Sequence, residues 1–402
     1  MSEKMTVPLL DLKAQYATIK AEIAAALEEV LETQWFIMGP KIVELEKAIA
    51  EYCQTKFAVG CSSGSDAILL ALMANDVGPD SEIICPSYTF FATAGSISIL
   101  GARPVWVDID PVTYNMDPEL TRKVAQQCTN LKAIMPVHLY GQAADLDAFL
   151  KIGQEFNVPI IEDAAQAIGT RDRSGTPAGS RGQIGCFSFF PTKNLGGYGD
   201  GGIVTTNDEA LAESMSILRV HGSKPKYHHH VRGINSRLDA LQAAVLLVKL
   251  KHLESWHEQR RANAETYDRL FHDAGATTSA IPLSGGGDGG GFPLRTPHQL
   301  EPPAKHIFNQ YVIRVPGEIR DSLREHLREA GVGTEIYYPI PLHLQKCYAD
   351  AGGQEGDLPE SELAAKETLA LPIYPELTTQ QIEYVAGTTI SYISQHAAVC
   401  TS

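Results

Sequence analysis

The sequence predicts an α/β fold, in which a mostly parallel β-sheet covered by helices is followed by a smaller C-terminal α+β unit. Between residues 57 and 206, strand-like apolar runs alternate with helical stretches. Such alternation is typical of parallel sheets, because the crossover between parallel strands is usually a helix. The length of 402 residues, 44% of them hydrophobic, is enough for a large core and for two domains.

The predicted elements follow in order along the chain. Residues 11–33 carry apolar side chains at helical spacing, which predicts an N-terminal helix. Seven strands are predicted next, at 57–61, 81–86, 103–109, 132–137, 158–162, 185–190 and 202–206. Helices are predicted between most of them, for example at 65–74, 117–128 and 145–156. Ligands of such a sheet bind at the carboxyl ends of its strands, where Asp163 and the turn at Gly64 fall.

A long helical segment from about Ser236 to His272 leads away from the predicted sheet. The glycine run 284–291 follows, and we expect it to be flexible because glycine cannot pack a core. Further elements are predicted as strands at 307–315 and 334–338 and helices at 317–330, 361–369 and 378–395. We therefore predict a large domain of residues 1–255 and a small domain of residues 256–402.

Composition limits the possible partners and compartments. A net charge of −15 argues against binding to nucleic acids or anionic membranes, which would need a broad basic surface. The seven cysteines include no C-x-x-C pair, which indicates reduced thiols in a cytoplasmic protein. No apolar stretch is long enough for export or for a membrane span. The adjacent histidines 228–230 favour a solvated loop over a metal site, since neighbours cannot share one helix face.

Lys193 stands at an unusual place in the sequence. It ends an apolar, aromatic run, and five glycines follow between residues 196 and 202. A lysine between aromatic side chains and a glycine loop is desolvated, which lowers its pKa and makes the amine a nucleophile. Taken alone, however, a lysine is more often a solvated surface residue.

Asp163 ends another buried-strand pattern 30 residues upstream of Lys193. An aspartate after a strand is usually a helix cap. Together, however, a Schiff-base lysine and an aspartate facing a pyridinium nitrogen are what pyridoxal phosphate chemistry requires. Gly64 and Ser65 add a strand-to-helix turn whose backbone N–H groups and hydroxyl suit a phosphate. The combination favours a cofactor site.

With these motifs the chain resembles the DegT/DnrJ/EryC1/StrS family of sugar aminotransferases, which have the PLP fold of type I. The resemblance runs from about Val7 to Tyr374, with the motifs in the family's order. It implies that Lys193 is the catalytic residue, which forms the Schiff base with pyridoxal phosphate and later shuttles a proton. Asp163 would keep the pyridine nitrogen protonated.

The resemblance implies roles for five further cofactor-binding residues. Gly64 and Ser65 stand where the family has a Gly-Thr pair that holds the cofactor phosphate, and Ser188 matches a second phosphate-binding hydroxyl. Gln166 matches a contact to the phenolic oxygen. Phe90 matches an aromatic residue stacked on the ring, although large aromatic residues more often belong to a core.

Other matching segments imply contacts to a second subunit and to substrate. Asn235 would reach the cofactor phosphate of the partner subunit, so that a homodimer shares its active sites; a helix N-cap is the alternative. Arg237 is a candidate for binding a substrate anion, and an ion pair with Asp239 is its alternative. Three more residues match segments that line the nucleotide-sugar pocket: Tyr311, Tyr338 and His343.

The expected function is transfer of an amino group from glutamate to a nucleotide-linked keto-hexose. The tracts 227–237 and 338–343 are more similar to members that aminate C3 than to those that aminate C4. If Arg237 meets a sugar carboxylate, the substrate would be a UDP-linked 3-oxo-uronate. A dTDP-linked 3-oxo-6-deoxyhexose is the alternative. A sugar dehydratase of the same fold has histidine in place of Lys193, and a non-catalytic regulatory homologue would be expected to lack Lys193 or Asp163.

Overall fold

The computed structural model describes residues 5–278 and 292–396; the glycine run 284–291 lies outside them. The helices of the described part are α1 (Leu12–Thr33), α2 (Pro40–Tyr52), α3 (Gly64–Ala74), α4 (Phe91–Ile99), α5 (Pro118–Ala125), α6 (Leu146–Phe156), α7 (Glu209–Leu218), α8 (Ala240–Asp273), α9 (Gly317–Glu329), α10 (Pro359–Glu367) and α11 (Thr379–His396). The strands are β1 (Phe57–Cys61), β2 (Glu82–Pro86), β3 (Arg103–Val107), β4 (Leu131–Ile134), β5 (Ile161–Asp163), β6 (Ile184–Ser188), β7 (Gly202–Thr206), β8 (Tyr311–Arg314) and β9 (Thr368–Leu371).

The first seven strands lie close to the predicted positions but form two hydrogen-bonded sheets, in the orders β3-β2-β4 and β1-β7-β6-β5. Isolated parallel bridges between Ile134 and Ile160 and between Val137 and Asp163 connect β4 to β5. In these two sheets β7 runs antiparallel to β1 and β6, and the other strand pairs are parallel. The predicted α/β fold with a mostly parallel sheet is thus confirmed, although the sheet is not hydrogen-bonded continuously across all seven strands.

Helices cover both faces of this sheet, because successive side chains of a strand point to opposite sides. Cys186 of β6 belongs to a core formed with α3, α4 and α7. Its neighbour Phe187 belongs to a second core, formed with α1, α2 and α8. The carboxyl ends of β5 and β6 therefore lie between two packed layers, where their side chains are held firmly.

A third core joins the C-terminal elements to both ends of the chain. It contains the last turns of α8, the antiparallel pair β8-β9, α9, α11 and the N-terminal Val7. Val7 forms a parallel bridge to Val332. The domain boundary predicted after residue 255 falls inside the continuous helix α8 and stays a prediction.

Some predicted elements differ in the structure. Residues 334–338 form a single bridge, between Glu335 and Ala370, instead of a strand. Two prolines follow this segment, and proline cannot donate to a sheet ladder. Residues 368–369, predicted as the end of a helix, instead begin strand β9, which pairs with β8. No described helix is long and apolar enough to cross a membrane.

Candidate active site

A cavity of about 530 Å³ opens at the carboxyl ends of the central strands. Eight of the residues predicted for the site line it together: Gly64, Ser65, Phe90, Asp163, Gln166, Ser188, Lys193 and Tyr338. They come from five separate stretches of the chain. The structure therefore brings together most of the side chains that the sequence motifs singled out.

Lys193 lies in the loop that connects β6 to β7. Its backbone N–H donates to the carbonyl oxygen of Phe190 at 2.8 Å, which closes a tight turn before the lysine. Desolvation lowers the pKa of the Lys193 amine to about 8, and the nearby Asp163 carboxylate offsets part of this shift. The amine is therefore neutral far more often near physiological pH than an exposed lysine, as a nucleophile requires.

Asp163 is the last residue of β5 and is buried. Burial raises the pKa of its carboxyl group, whereas hydrogen bonds and the nearby Lys193 and His138 lower it. Thr93 Oγ1 donates to Asp163 Oδ2 at 2.8 Å, and the backbone N–H of Ala165 donates to Oδ1 at 3.2 Å. These contacts fix the carboxylate at the floor of the cavity.

The N-terminus of α3 forms one end of the cavity. Ser63 caps the helix by accepting a hydrogen bond of 3.1 Å from the backbone N–H of Asp66. A Cβ at Gly64 would lie 2.6 Å from Ser188 Cβ, and one at Gly202 would lie 2.3 Å from the Ser63 carbonyl oxygen. Only glycine lets these three segments approach so closely. The result is a cradle of helix N–H groups flanked by the hydroxyl-bearing residues Ser65 and Ser188.

The aromatic wall of the cavity contains Phe90 and Tyr338, whose ring centroids are 6.1 Å apart. Phe90 is 58% exposed, so it lines the cavity instead of packing in a core. Gln166 is held from both sides: its Oε1 accepts from the backbone N–H of Tyr140 at 2.7 Å, and its Nε2 donates to the Tyr338 hydroxyl at 3.1 Å. Its amide is thus fixed beside the aromatic wall.

Asn235 and Arg237 do not line this cavity within their own chain. Asn235 is exposed, and the N-cap of α8 is Asp239, so the helix-cap alternative for Asn235 is wrong. Arg237 is half-buried and makes no salt bridge to any described residue, Asp239 included. The predicted contact of Asn235 to the partner subunit's cofactor and the predicted binding of a substrate anion by Arg237 both stay predictions.

Tyr311 and His343 are also outside the cavity. Tyr311 is fully buried in the C-terminal core, where its hydroxyl donates to Asp268 Oδ1 at 2.7 Å. His343 is 1% exposed, with Nδ1 2.7 Å from Ser87 Oγ and Nε2 3.2 Å from Glu362 Oε1. Neither side chain can reach a ligand in this cavity, because each is enclosed by protein. The predicted substrate roles are therefore corrected to packing and hydrogen bonding within the fold.

Sequence reasoning missed several residues of the site, among them Thr93, Thr192, Gln310 and Tyr337. Thr93 acts on the cavity through Asp163, and the other three line it directly. Gln310 and Tyr337 immediately precede the predicted Tyr311 and Tyr338. The sequence indicated the right segments there. In the first, alternation along the chain decides that Gln310 and not Tyr311 faces the cavity, whereas in the second both tyrosines line it.

These residues fit pyridoxal phosphate. The α3 cradle suits its phosphate, the exposed Phe90 ring suits the face of a pyridine, and the buried Asp163 suits a protonated ring nitrogen. The Lys193 amine lines the same cavity with its pKa lowered toward neutrality. None of four further cavities among the described residues combines an amine, a buried carboxylate and a helix N-terminus.

Two relatives cover almost the whole chain. The "Pleiotropic regulatory protein" of Geobacillus stearothermophilus is 50% identical over 95% of this chain and 97% of its own length. The "UDP-2-acetamido-2-deoxy-3-oxo-D-glucuronate aminotransferase" of Pseudomonas aeruginosa is 39% identical over 95% of this chain and 99% of its own length. The chain thus resembles proteins with both enzymatic and regulatory names.

Solved structures agree with the fold. DesV of Streptomyces venezuelae, in complex with a ketimine intermediate, superposes with a TM-score of 0.88 at 39% identity, covering 96% of this chain and 98% of that one. NtdA of Bacillus subtilis, with bound cofactor PMP, gives a TM-score of 0.84 at 29% identity, covering 97% and 86%. The family profile itself matches residues 17–389. The chain therefore belongs to the DegT/DnrJ/EryC1/StrS aminotransferase family.

Proposed function

We propose that this aminotransferase acts on a nucleotide-linked keto sugar, aminating C3 of a UDP-linked 3-oxo-uronate with glutamate as amino donor. Pyridoxal phosphate is its cofactor, as the sequence predicted. The observation that carries the proposal is the presence of Lys193, Asp163 and the α3 cradle around one cavity. The predicted homodimer is part of the proposal, since Asn235 and Arg237 would complete the partner's site.

When bound, pyridoxal phosphate supplies an electron sink that stabilises negative charge on the reacting carbon. The residues of this chain have distinct tasks around it. Lys193 Nζ would hold the cofactor, and as a free amine it would move a proton at the reacting carbon. Asp163 would keep a proton on the ring nitrogen, and Phe90 would cover one face of the ring and exclude water.

Binding of the phosphate is assigned to Gly64, Ser65 and Ser188 at the start of α3 and the end of β6. The backbone N–H groups of a helix N-terminus favour an anion there. Gln166, fixed by its contacts to Tyr140 and Tyr338, would donate to the phenolic oxygen. Tyr338 would close the side of the pocket that faces the sugar.

The uronate is favoured by Arg237 and by one relative. Arg237 makes no salt bridge to a described residue, so its guanidinium is available for a bidentate contact to a carboxylate. The Pseudomonas aeruginosa relative is named for a 3-oxo-glucuronate. A dTDP-linked 3-oxo-6-deoxyhexose, which has no carboxylate, is the second candidate.

The experiment supplies the cofactor-loaded enzyme with glutamate and either keto sugar, and measures the amino sugar by mass spectrometry. We expect turnover of the uronate with a higher kcat/KM than the neutral sugar. In Arg237→Lys this ratio should fall at least about tenfold, because an ammonium cannot reproduce the guanidinium fork.

Two outcomes would contradict the proposal in different ways. A wild-type preference for the neutral sugar would remove the uronate assignment, whereas an unchanged ratio in Arg237→Lys would move Arg237 to a structural or diphosphate-binding role. No exchange of the amine with any nucleotide sugar, in an enzyme shown to hold its cofactor on Lys193 by borohydride reduction, would favour the regulatory role named for the Geobacillus relative.

A further inference from the structure

A second, smaller cavity of about 60 Å³ borders the active-site cavity. Thr192, Gln310 and Tyr337 line both of them, so the two cavities meet at these residues. Arg260 and Asn309 line the small cavity but not the large one. Because Thr192 directly precedes Lys193, the small cavity lies next to the position where the amino group is exchanged.

Arg260 is a buried cation without a counter-ion in contact. It lies on α8 and is 3% exposed. Its Nη1 donates to the carbonyl oxygens of Phe308 at 3.0 Å and Ile373 at 2.8 Å, and no carboxylate of the described residues forms a salt bridge with it. Burial lowers the pKa of its guanidinium to about 10, with Glu376 offsetting part of the shift from a distance. Buried charges in proteins are normally paired, because an unpaired one is costly.

Two amide oxygens of residues that line the small cavity with Arg260 also lack partners. Asn309 is 7% exposed, and its Oδ1 is buried without a hydrogen-bond partner. Gln310 Oε1 is likewise buried without a partner. A buried polar atom of this kind usually marks the place of a water or a ligand. Rotation of the Asn309 amide would present its N–H groups to an anion. The Asn309 amide and the Arg260 guanidinium together would then offer donors that suit a carboxylate.

From this arrangement we propose that the small cavity is a subsite for a carboxylate group of the amino donor, bound by Arg260 and Asn309. The inference rests on the proposed function, because it states where a dicarboxylic amino donor such as glutamate would bind. The cavity has room for a carboxylate group but is too small for a sugar ring. Its place beyond Thr192 lets a donor reach it while its amino group remains at Lys193.

The test uses Asn309→Asp in the full-length, cofactor-loaded enzyme. The two side chains have nearly the same shape, and the new carboxylate would pair with Arg260, so folding should be preserved. A donor carboxylate would then meet a like charge instead of an amide. Gln127→Glu, an exposed amide-to-acid change, is the matched control for net charge.

Two half-reactions are measured separately by the change of the cofactor spectrum. For Asn309→Asp we expect kcat/KM for glutamate to fall about 100-fold, because like charges at close range cost several kcal/mol. The reverse reaction with the nucleotide-linked amino sugar should stay within about threefold. Binding of glutarate, an unreactive dicarboxylate, gives a readout other than activity, and its Kd should rise at least about tenfold.

Three results would overturn the inference. Unchanged glutamate reaction and unchanged glutarate binding would mean that the cavity holds only water. Equal losses in both half-reactions would mean a general disturbance of the site. A loss of kcat/KM confined to the half-reaction with the amino sugar would mean that the small cavity binds a carboxylate of the sugar and not one of the amino donor. Failure of the proposed substrate is distinguishable, because wild type would then react with glutamate but with no nucleotide sugar.

Discussion

Thr93 Oγ1 donates a hydrogen bond of 2.8 Å to Asp163 Oδ2, and both side chains are buried. Thr93 lies in the first turn of α4, and Phe90 is the N-cap residue of that helix. The start of α4 therefore positions two parts of the site. One is the Phe90 ring, which lines the cavity, and the other is the Thr93 hydroxyl, which donates to the Asp163 carboxylate at the cavity floor. Through this hydrogen bond, α4 would influence the carboxylate that faces the ring nitrogen of the cofactor.

Replacement of Thr93 by valine keeps the branched shape and removes the hydroxyl. The Asp163 carboxylate then loses a donor, so its pKa rises further and it holds a proton on the ring nitrogen less well. We expect kcat for transamination to fall about tenfold to 100-fold, as for loss of a hydrogen bond to a charged group. Thr93→Ser, which keeps the hydroxyl, should stay within about threefold. Equal rates for the valine and serine variants would show that the hydrogen bond does not matter for catalysis.

The lowered pKa of Lys193 predicts a pH dependence of cofactor loading. Only the neutral amine reacts with an aldehyde, so the loading rate of cofactor-free protein should rise with pH up to about 8 and level off above it. An ordinary lysine, with a pKa of 10.5, would give a rate that still rises beyond pH 9. The measurement is the rate of absorbance change on adding pyridoxal phosphate across this range.

Asp163→Asn tests the cause of that pKa. The Asp163 carboxylate raises the Lys193 pKa and burial lowers it, so removing the charge should move the midpoint to lower pH. A midpoint near 10.5 in the wild type would show that the amine is hydrated and that Lys193 is not the desolvated nucleophile.

The sequence was sufficient to predict those site residues that lie in a local motif directly after a strand. Lys193, Asp163 and the Gly64 turn follow strands, and their motifs lie within a few residues of the chemistry. The elements that pack on the sheet were predicted less completely. Helix α4 has no side-chain cap and contains small residues and Gly95, so its sequence carries little helical signal. With α4 unrecognised, the contact from Thr93 to Asp163 was not predictable.

The substrate-facing residues were harder to predict for a different reason. Tyr311 and Gln310 are neighbours, and the pairing of β8 with β9 decides that Tyr311 enters the core while Gln310 reaches the cavity. Such a choice depends on register between distant segments. The small cavity beside Arg260 likewise joins α8 to residues more than 45 positions away, which no local motif records.

Two residues of α8 hold the loop that follows Lys193. Lys249 Nζ donates to the Gly196 carbonyl oxygen at 2.7 Å, and the backbone N–H of Tyr198 donates to Gln242 Oε1 at 2.7 Å. Gln242 and Lys249 are two helical turns apart and therefore share one face. Lys249 is 2% exposed, and burial lowers its pKa to about 8.

Lys249→Met should loosen this loop while keeping the apolar stem of the side chain. Loss of the hydrogen bond, worth about 1.5 kcal/mol, predicts a roughly tenfold slower loading of the cofactor and a similar fall in kcat, with KM for the nucleotide sugar unchanged. Lys305→Met is the control, since Lys305 pairs with Glu254 away from the loop. Loading at the wild-type rate in Lys249→Met would show that Gln242 alone is sufficient to hold the loop.

The proposed shared site predicts complementation between two inactive subunits. If Asn235 binds the cofactor phosphate of the partner, each site takes Lys193 from one chain and Asn235 from the other. Homodimers of Lys193→Ala should be inactive, and those of Asn235→Ala impaired through weaker cofactor binding. In a mixed dimer, one site receives both wild-type residues and the other receives both substitutions. Co-refolding of the two variants should therefore restore activity above that of either parent.

The opposite arrangement predicts a different result from the same mixture. If Asn235 acts within its own chain, every intact Lys193 in a mixed dimer lies in a site with the Asn235→Ala defect. Activity would then never exceed that of the Asn235→Ala parent at limiting cofactor, even with mixed dimers verified by native mass spectrometry. Adding excess pyridoxal phosphate separates weak cofactor binding from lost chemistry, because it rescues the former only. Asn235 is exposed and outside the cavity of its own chain, so the cross-subunit result is the one expected.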